Sequence, residues 1–156
     1  MTAAERQLSV DVVVDAAPEV VWDALVDWER QSEWMLATRV RGTHQRGHGV
    51  GGGIEATTGV GPFGILDTMV VTEWDPPRRC VVRHTGKLMS GTGTFEVFAL
   101  PERRSRVVWT EDFVLPLGLL GKLGWPVIRP AVVAGIKSSL KRFAQRVQTD
   151  SPRSGA

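Results

Sequence analysis

The feature that most constrains this 156-residue chain is a long run of strand patterns, between Leu36 and Val114, that no helical pattern interrupts. Apolar and polar residues alternate in segments such as ILDTMVVTEW and RVVWTEDFVL, and short segments rich in glycine, proline or charge separate them. Parallel strands need crossover connections of a dozen or more residues, which are usually helical. The run therefore predicts an antiparallel meander.

Helical patterns lie on both sides of this run. A first alternating strand, LSVDVVV, precedes Pro18, where a short helix can begin, and a second short helical segment ends near Trp34. After Pro116 an apolar face recurs at helical spacing through Val147. We expect this last helix to begin near Pro126 or Pro130, because proline is tolerated in a first helical turn.

Composition restricts the class of protein. With 42% hydrophobic and 23% charged residues, the chain is typical of a soluble globular domain. Cys80 is the single cysteine, which excludes an internal disulfide and fits a reducing compartment. Acidic residues interrupt the apolar run near the N-terminus, so a secretory signal is not expected. We expect a cytoplasmic location. The basic clusters are short, which disfavours nucleic-acid binding.

The glycine segment RGHGVGGGIE formally matches the G-x-G-x-x-G phosphate-binding fingerprint. That fingerprint requires a helix after the glycines, whereas a strand pattern follows here, so neither a dinucleotide nor any other cofactor is predicted. We expect Gly47 and Gly49 to form a hairpin turn. His44 and His48 flank that turn without a metal-binding spacing, and no metal site is predicted.

The order of elements, together with APEVVWDALVDWERQSEWM and VTEWDPPRRCVVRHTG, resembles the polyketide cyclase/dehydrase and lipid-transport family of the START-like superfamily. The resemblance covers roughly residues 7–148. It implies an α+β helix-grip fold, in which a curved seven-stranded antiparallel sheet wraps around a long C-terminal helix and two short helices follow the first strand. It also implies an apolar cavity between sheet and helix. We expect one domain, residues 1–148, and a disordered tail, residues 149–156.

Two ionisable residues are candidates for a site in that cavity. In the last strand Glu111 shares a face with Trp109, which we take as the inner face, and His84 shares a face with Cys80. An inward carboxylate is either a hydrogen-bonded anchor or an acid/base. We expect Phe95, on the intervening strand, to lie between the two. The predicted ligand-binding residues are Trp34, at the cavity mouth, and Met69, Phe95, Trp109, Phe113, Trp125, Val132 and Ile136.

The family resemblance allows two functions. One is a carrier or binding protein for a hydrophobic small molecule such as a lipid or polyketide. The other is a polyketide aromatase/cyclase that uses Glu111 and His84 in aldol cyclisation and dehydration. Residues 115–126 are expected to act as a lid, or residues 115–129 as a transient membrane-docking segment. The sequence leaves the oligomeric state open.

Overall fold

The structure is a computed structural model that describes residues 7–114 and 118–150, apart from the side chains of Phe113 and of residues 118–122. A short helix and a 3₁₀ helix follow the first strand, a second 3₁₀ helix follows the next strand, and a long helix ends the described part. In chain order the elements are β1 (Gln7–Val14), α1 (Pro18–Leu25), a 3₁₀ helix (Trp28–Glu33), β2 (Thr38–Gly42), a second 3₁₀ helix (His44–Gly47), β3 (Gly53–Thr58), β4 (Ile65–Asp75), β5 (Arg79–His84), β6 (Ser90–Leu100), β7 (Arg104–Val114) and α2 (Gly118–Asp150).

The strands form one antiparallel sheet in the order β1-β7-β6-β5-β4-β3-β2. α2 is hydrogen-bonded near both edges of this sheet. Gln148 Oε1 accepts from the backbone N–H of Asp15, just after β1, and Ser139 Oγ accepts from that of Leu36, just before β2, each at 3.0 Å. Because one helix reaches both edge strands, the sheet curves around it. The predicted helix-grip fold is confirmed.

The inner faces of sheet and helices form the core. Leu140, Phe143 and Val147 of α2 are buried against it, and α1 contributes Val21 and Leu25. Burying each such side chain contributes about 1.5–3 kcal/mol relative to leaving it exposed. No helix among the described residues combines the length and the hydropathy needed to cross a membrane.

The start of the last helix differs from the prediction. α2 begins at Gly118, so Pro126 and Pro130 lie inside it rather than in its first turn. Each proline removes one backbone hydrogen bond. The two are four residues apart and exposed, so the unpaired carbonyl groups fall on a side of the helix that water can reach. α2 also includes Thr149 and Asp150; residues 151–156 lie outside the described residues, and a disordered tail there stays a prediction.

The glycine segment is also built differently from the predicted hairpin. β2 and β3 are joined by residues 43–52, which include the second 3₁₀ helix. Gly47 has a φ of +74° and lies against the indole of Trp28, whose Nε1 donates to the Gly47 carbonyl oxygen at 3.1 Å. A Cβ at residue 47 would lie 2.5 Å from Trp28 Nε1. Gly47 therefore allows a close backbone approach as well as a positive φ.

Gly47→Ala should destabilise the protein by roughly 3 kcal/mol, because it adds a steric clash with Trp28 to the cost of a left-handed residue. Gly51→Ala is the matched control, since Gly51 has a φ of +88° but no atom within 4 Å of an added Cβ. The free energy of unfolding of this control should fall by only about 1–2 kcal/mol. Urea denaturation of both variants measures the difference, and equal losses would contradict the role given to the Trp28 contact.

Candidate functional site

A small cavity lies between the sheet and the segment that carries the first 3₁₀ helix. Its volume is about 60 Å³. No described side chain of α2 lines it, so it does not lie against the C-terminal helix as expected. The lining side chains come from the segment 28–35 and from strands β2 to β7; they are Trp28, Gln31, Met35, Val40, Ile54, Ala56, Met69, Cys80, Val82, Gly93, Thr94, Phe95, Trp109 and Glu111.

Glu111 is the one charged residue in this lining. β7 places it on the inner face with Trp109, and 8% of its surface is exposed. Trp109 Nε1 donates a hydrogen bond of 2.6 Å to Glu111 Oε1. Gln31, the other strongly polar lining residue, donates its amide N–H to the Leu25 carbonyl oxygen at 2.7 Å. The cavity wall therefore presents a single carboxylate within an apolar surface.

His84 of β5 reaches Glu111 across the intervening strand. His84 Nε2 lies 3.3 Å from Glu111 Oε2. The register pairs His84 with Gly91, and Gly93 with Glu111, so glycines rather than the expected Phe95 separate the two side chains. A Cβ at residue 93 would lie 3.1 Å from Glu111 Oε1. Two residues without side chains on β6 thus allow an imidazole and a carboxylate two strands apart to meet.

Asp67 of β4 completes the cluster and was not predicted. His84 Nδ1 lies 2.5 Å from Asp67 Oδ2, and 6% of Asp67 is exposed. The other oxygen, Oδ1, is buried and has no hydrogen-bond partner among the described residues. Asp67 is two residues from Met69 in β4 and so shares its face. Because Met69 is predicted to face inward, strand parity in ILDTMVV contained the signal that would have found Asp67.

The two carboxylates set the charge of His84. Burial of the imidazole opposes protonation, but hydrogen bonds to Asp67 and Glu111, and the negative charges of both, outweigh burial and raise the pKa of His84 from 6.5 to about 9. At neutral pH His84 is therefore an imidazolium that donates through Nδ1 to Asp67 and through Nε2 to Glu111. We call these three residues the acid–base cluster.

The predicted ligand-binding residues divide into those that line the cavity and those that do not. Met69, Phe95 and Trp109 line it. Trp34 does not form a mouth: 3% of it is exposed, and its ring packs between those of Trp109 and Phe143, at centroid distances of 6.2 and 5.0 Å. Three predicted residues belong to α2 and pack in or against the core without lining the cavity; they are Trp125, Val132 and Ile136.

Two further predictions fall wholly or partly outside what the structure describes. The side chain of Phe113 lies outside the described residues, as do residues 115–117 of the expected lid. The described part of that segment, from Gly118, belongs to the continuous helix α2. A lid at residues 115–126 stays a prediction.

The lining residues that the sequence analysis missed come chiefly from the first 3₁₀ helix and from β2 and β3. The lone cysteine is also among them. Burial, with a smaller effect of Glu73, raises the pKa of the Cys80 thiol to about 12. Cys80 is therefore a protonated, apolar part of the wall at neutral pH rather than a nucleophile.

Comparison with known proteins gives one family and many similar folds. The sequence model of the family described as polyketide cyclase / dehydrase and lipid transport matches residues 5–148. No curated protein sequence matches the chain. A Thermus thermophilus protein superposes with a TM-score of 0.79 at 18% identity, covering 94% of this chain and 99% of the other. The Zhui aromatase/cyclase from Streptomyces sp. R1128 superposes with a TM-score of 0.77 at 20% identity, covering 97% of this chain and 98% of the other.

The charge of His84 predicts a pH dependence of stability. The native pKa is about 9 and that of the unfolded chain about 6.5, so the native state binds the proton more tightly. The free energy of unfolding that protonated His84 contributes is complete below pH 6.5 and is lost as the pH rises through 9. Relative to His84→Gln, the wild type should lose up to about 3 kcal/mol of its free energy of unfolding between pH 6 and pH 10. Urea denaturation at both pH values measures this; a difference between the two proteins that does not change with pH would contradict it.

Proposed function

The chain belongs to the polyketide cyclase/dehydrase and lipid-transport family, and we propose that it binds an apolar small molecule in the cavity beneath the first 3₁₀ helix. The observation that carries this proposal is the composition of the cavity wall, where aromatic and aliphatic side chains surround one carboxylate, Glu111. Such a wall suits a ligand with an apolar body and one hydroxyl or enol group that donates a hydrogen bond to Glu111. Neither binding nor orientation of this ligand requires a cofactor.

The cavity must widen to hold such a ligand. Its volume of about 60 Å³ compares with roughly 300–1,000 Å³ for pockets that bury a drug-sized molecule. Met35 and Met69 lie on opposite sides of it, and unbranched methionine side chains rearrange more readily than branched ones. We infer that these two side chains and the segment 28–35 adjust when the ligand enters.

Ala56→Phe should abolish binding of an apolar fluorescent dye such as 1-anilinonaphthalene-8-sulfonate, because the added ring fills the cavity beside Met69. Ala99→Phe is the matched control, since Ala99 is exposed near the end of β6. Dye fluorescence titrations on the wild type and both variants, with circular dichroism to verify folding, provide the test. A folded Ala56→Phe protein that binds the dye as tightly as the wild type would refute this position for the ligand.

A second candidate function is cyclisation and dehydration of a poly-β-ketone, and the acid–base cluster favours it. Glu111 lines the cavity and could take an α-proton from the bound chain, so that the resulting enolate attacks a ketone carbonyl and forms a carbon–carbon bond. The alkoxide formed in this step would take that proton back from Glu111 and become a hydroxyl. Glu111 would then accept a second α-proton and pass it to the hydroxyl, which leaves as water while the carbon–carbon double bond forms. His84 and Asp67 would hold Glu111 in position rather than contact the substrate.

Glu111→Gln separates binding from turnover. The amide keeps the shape and the hydrogen bond from Trp109 but cannot accept the α-proton, so cyclisation of a synthetic poly-β-ketone should fall by roughly 100-fold or more, whereas dye binding should change little. Asp112→Asn is the matched control, because Asp112 lies on the opposite face of the same strand. Absence of any turnover by the wild type would leave binding as the function; turnover that Glu111→Gln does not reduce would refute the role of Glu111.

A further inference from the structure

The exposed apolar side chains are concentrated at one end of the molecule. Of the 14 large hydrophobic residues that are exposed in the described part of the chain, ten lie in the β3–β4 hairpin, the β5–β6 hairpin, the end of β7, the loop before β2 and the first half of α2. The most exposed is Phe63, at 84%. We call the following six residues the apolar rim: Val60, Phe63, Leu66, Leu88, Val127 and Ile128.

The topology places these segments at the same edge of the sheet. In an antiparallel sheet the ends of β3, β5 and β7 coincide with the starts of β4 and β6, and α2 begins four residues after β7 ends. Contacts connect the hairpin to the helix: the Gly59 N–H donates to the Ala37 carbonyl oxygen at 2.9 Å, and a Cβ at Gly135 of α2 would lie 3.9 Å from Leu36. The three segments that carry the rim therefore lie at the same end of the molecule.

The charges within the three segments that carry the rim have one sign. Residues 57–66, 85–92 and 123–131 contain Lys87 and Arg129 and no aspartate or glutamate. Both basic residues are exposed. The opposite end differs, since β4 ends there at Asp75 and the β6–β7 turn carries Glu102. A bilayer surface with anionic lipids complements an apolar surface that carries only positive charge.

We propose that the apolar rim docks this protein on anionic lipid bilayers. Phe63 and Val60 lie in a hairpin turn of uncharged residues, which can enter the headgroup region without burying a charge. Lys87 and Arg129 remain beside the lipid phosphates. An acidic protein partner fits less well, because recognition by charge would rely on only these two basic residues. Docking leaves the chain outside the hydrocarbon core and reversibly bound.

Flotation of the full-length protein with lipid vesicles tests the proposal. Vesicles of phosphatidylcholine with phosphatidylglycerol should bind the wild type, and vesicles of phosphatidylcholine alone should bind it weakly. Phe63→Ser should lower the partition coefficient about tenfold or more through loss of the inserted ring. Lys87→Glu should lower it several-fold, and more so at low salt.

Matched controls come from the opposite end of the sheet. Phe98→Ser removes a phenylalanine that is 46% exposed in β6, and Arg103→Glu reverses an exposed charge in the β6–β7 turn. Both should bind anionic vesicles as the wild type does. Vesicle binding is measured without a cavity ligand, so this test and the dye titration can fail separately.

Four results would overturn the proposal. One is equal binding of the wild type to both kinds of vesicle, or to neither. Another is a Phe63→Ser protein that binds no more weakly than Phe98→Ser. The third is light scattering that finds a dimer which Phe63→Ser dissociates, since the rim would then be an interface between two copies. Binding to poly-glutamate that depends on Lys87, without vesicle binding, would assign the surface to an acidic protein.

Discussion

An imidazolium held between two buried carboxylates imposes the strictest requirements on this fold. Asp67, His84 and Glu111 are each more than nine-tenths buried, and an isolated charge in such a place costs several kcal/mol. The three groups offset this cost only if β4, β5 and β7 keep a register that brings their side chains together. They also favour glycine at position 93, because a Cβ there would lie 3.1 Å from Glu111 Oε1, a tight contact with the carboxylate. Sheet register, glycine placement and charge are therefore linked.

The position of the acid–base cluster connects the fold to the proposed function. Glu111 belongs both to the cluster and to the cavity wall. A ligand in the cavity therefore meets a carboxylate that is hydrogen-bonded to the His84 imidazolium. With Trp109 and His84 both donating to it, the carboxylate is fixed in direction before a ligand arrives. This preorganisation serves a binding protein by selecting ligands with one hydrogen-bond donor. It serves an enzyme equally, because a fixed base meets an α-proton at a defined position.

Much of this architecture could be predicted from the sequence, because strand alternation and helical periodicity are local. Parity alone placed Glu111 and His84 on inner faces. Their partners required the register between strands, which depends on tertiary packing, so Asp67 was missed and Phe95 was expected where Gly91 and Gly93 lie. The start of α2 was predicted wrongly because proline propensity was weighed without knowing that this side of the helix is exposed. The cavity was placed against α2 because the family resemblance implied that position. The segment 28–35, which lines the cavity instead, has no periodic signal that the sequence analysis could use.

The most direct test of the account is the protonation state of His84 in the folded protein. Nitrogen-15 chemical shifts of its imidazole ring, followed by NMR from pH 5 to pH 10, report both ring nitrogens separately. We expect both to stay protonated through neutral pH, with a midpoint of about 9. In Asp67→Asn the midpoint should fall towards the ordinary value of about 6.5, because one of the two flanking charges is lost. A wild-type midpoint near 6.5, or a neutral ring at pH 7, would contradict the account.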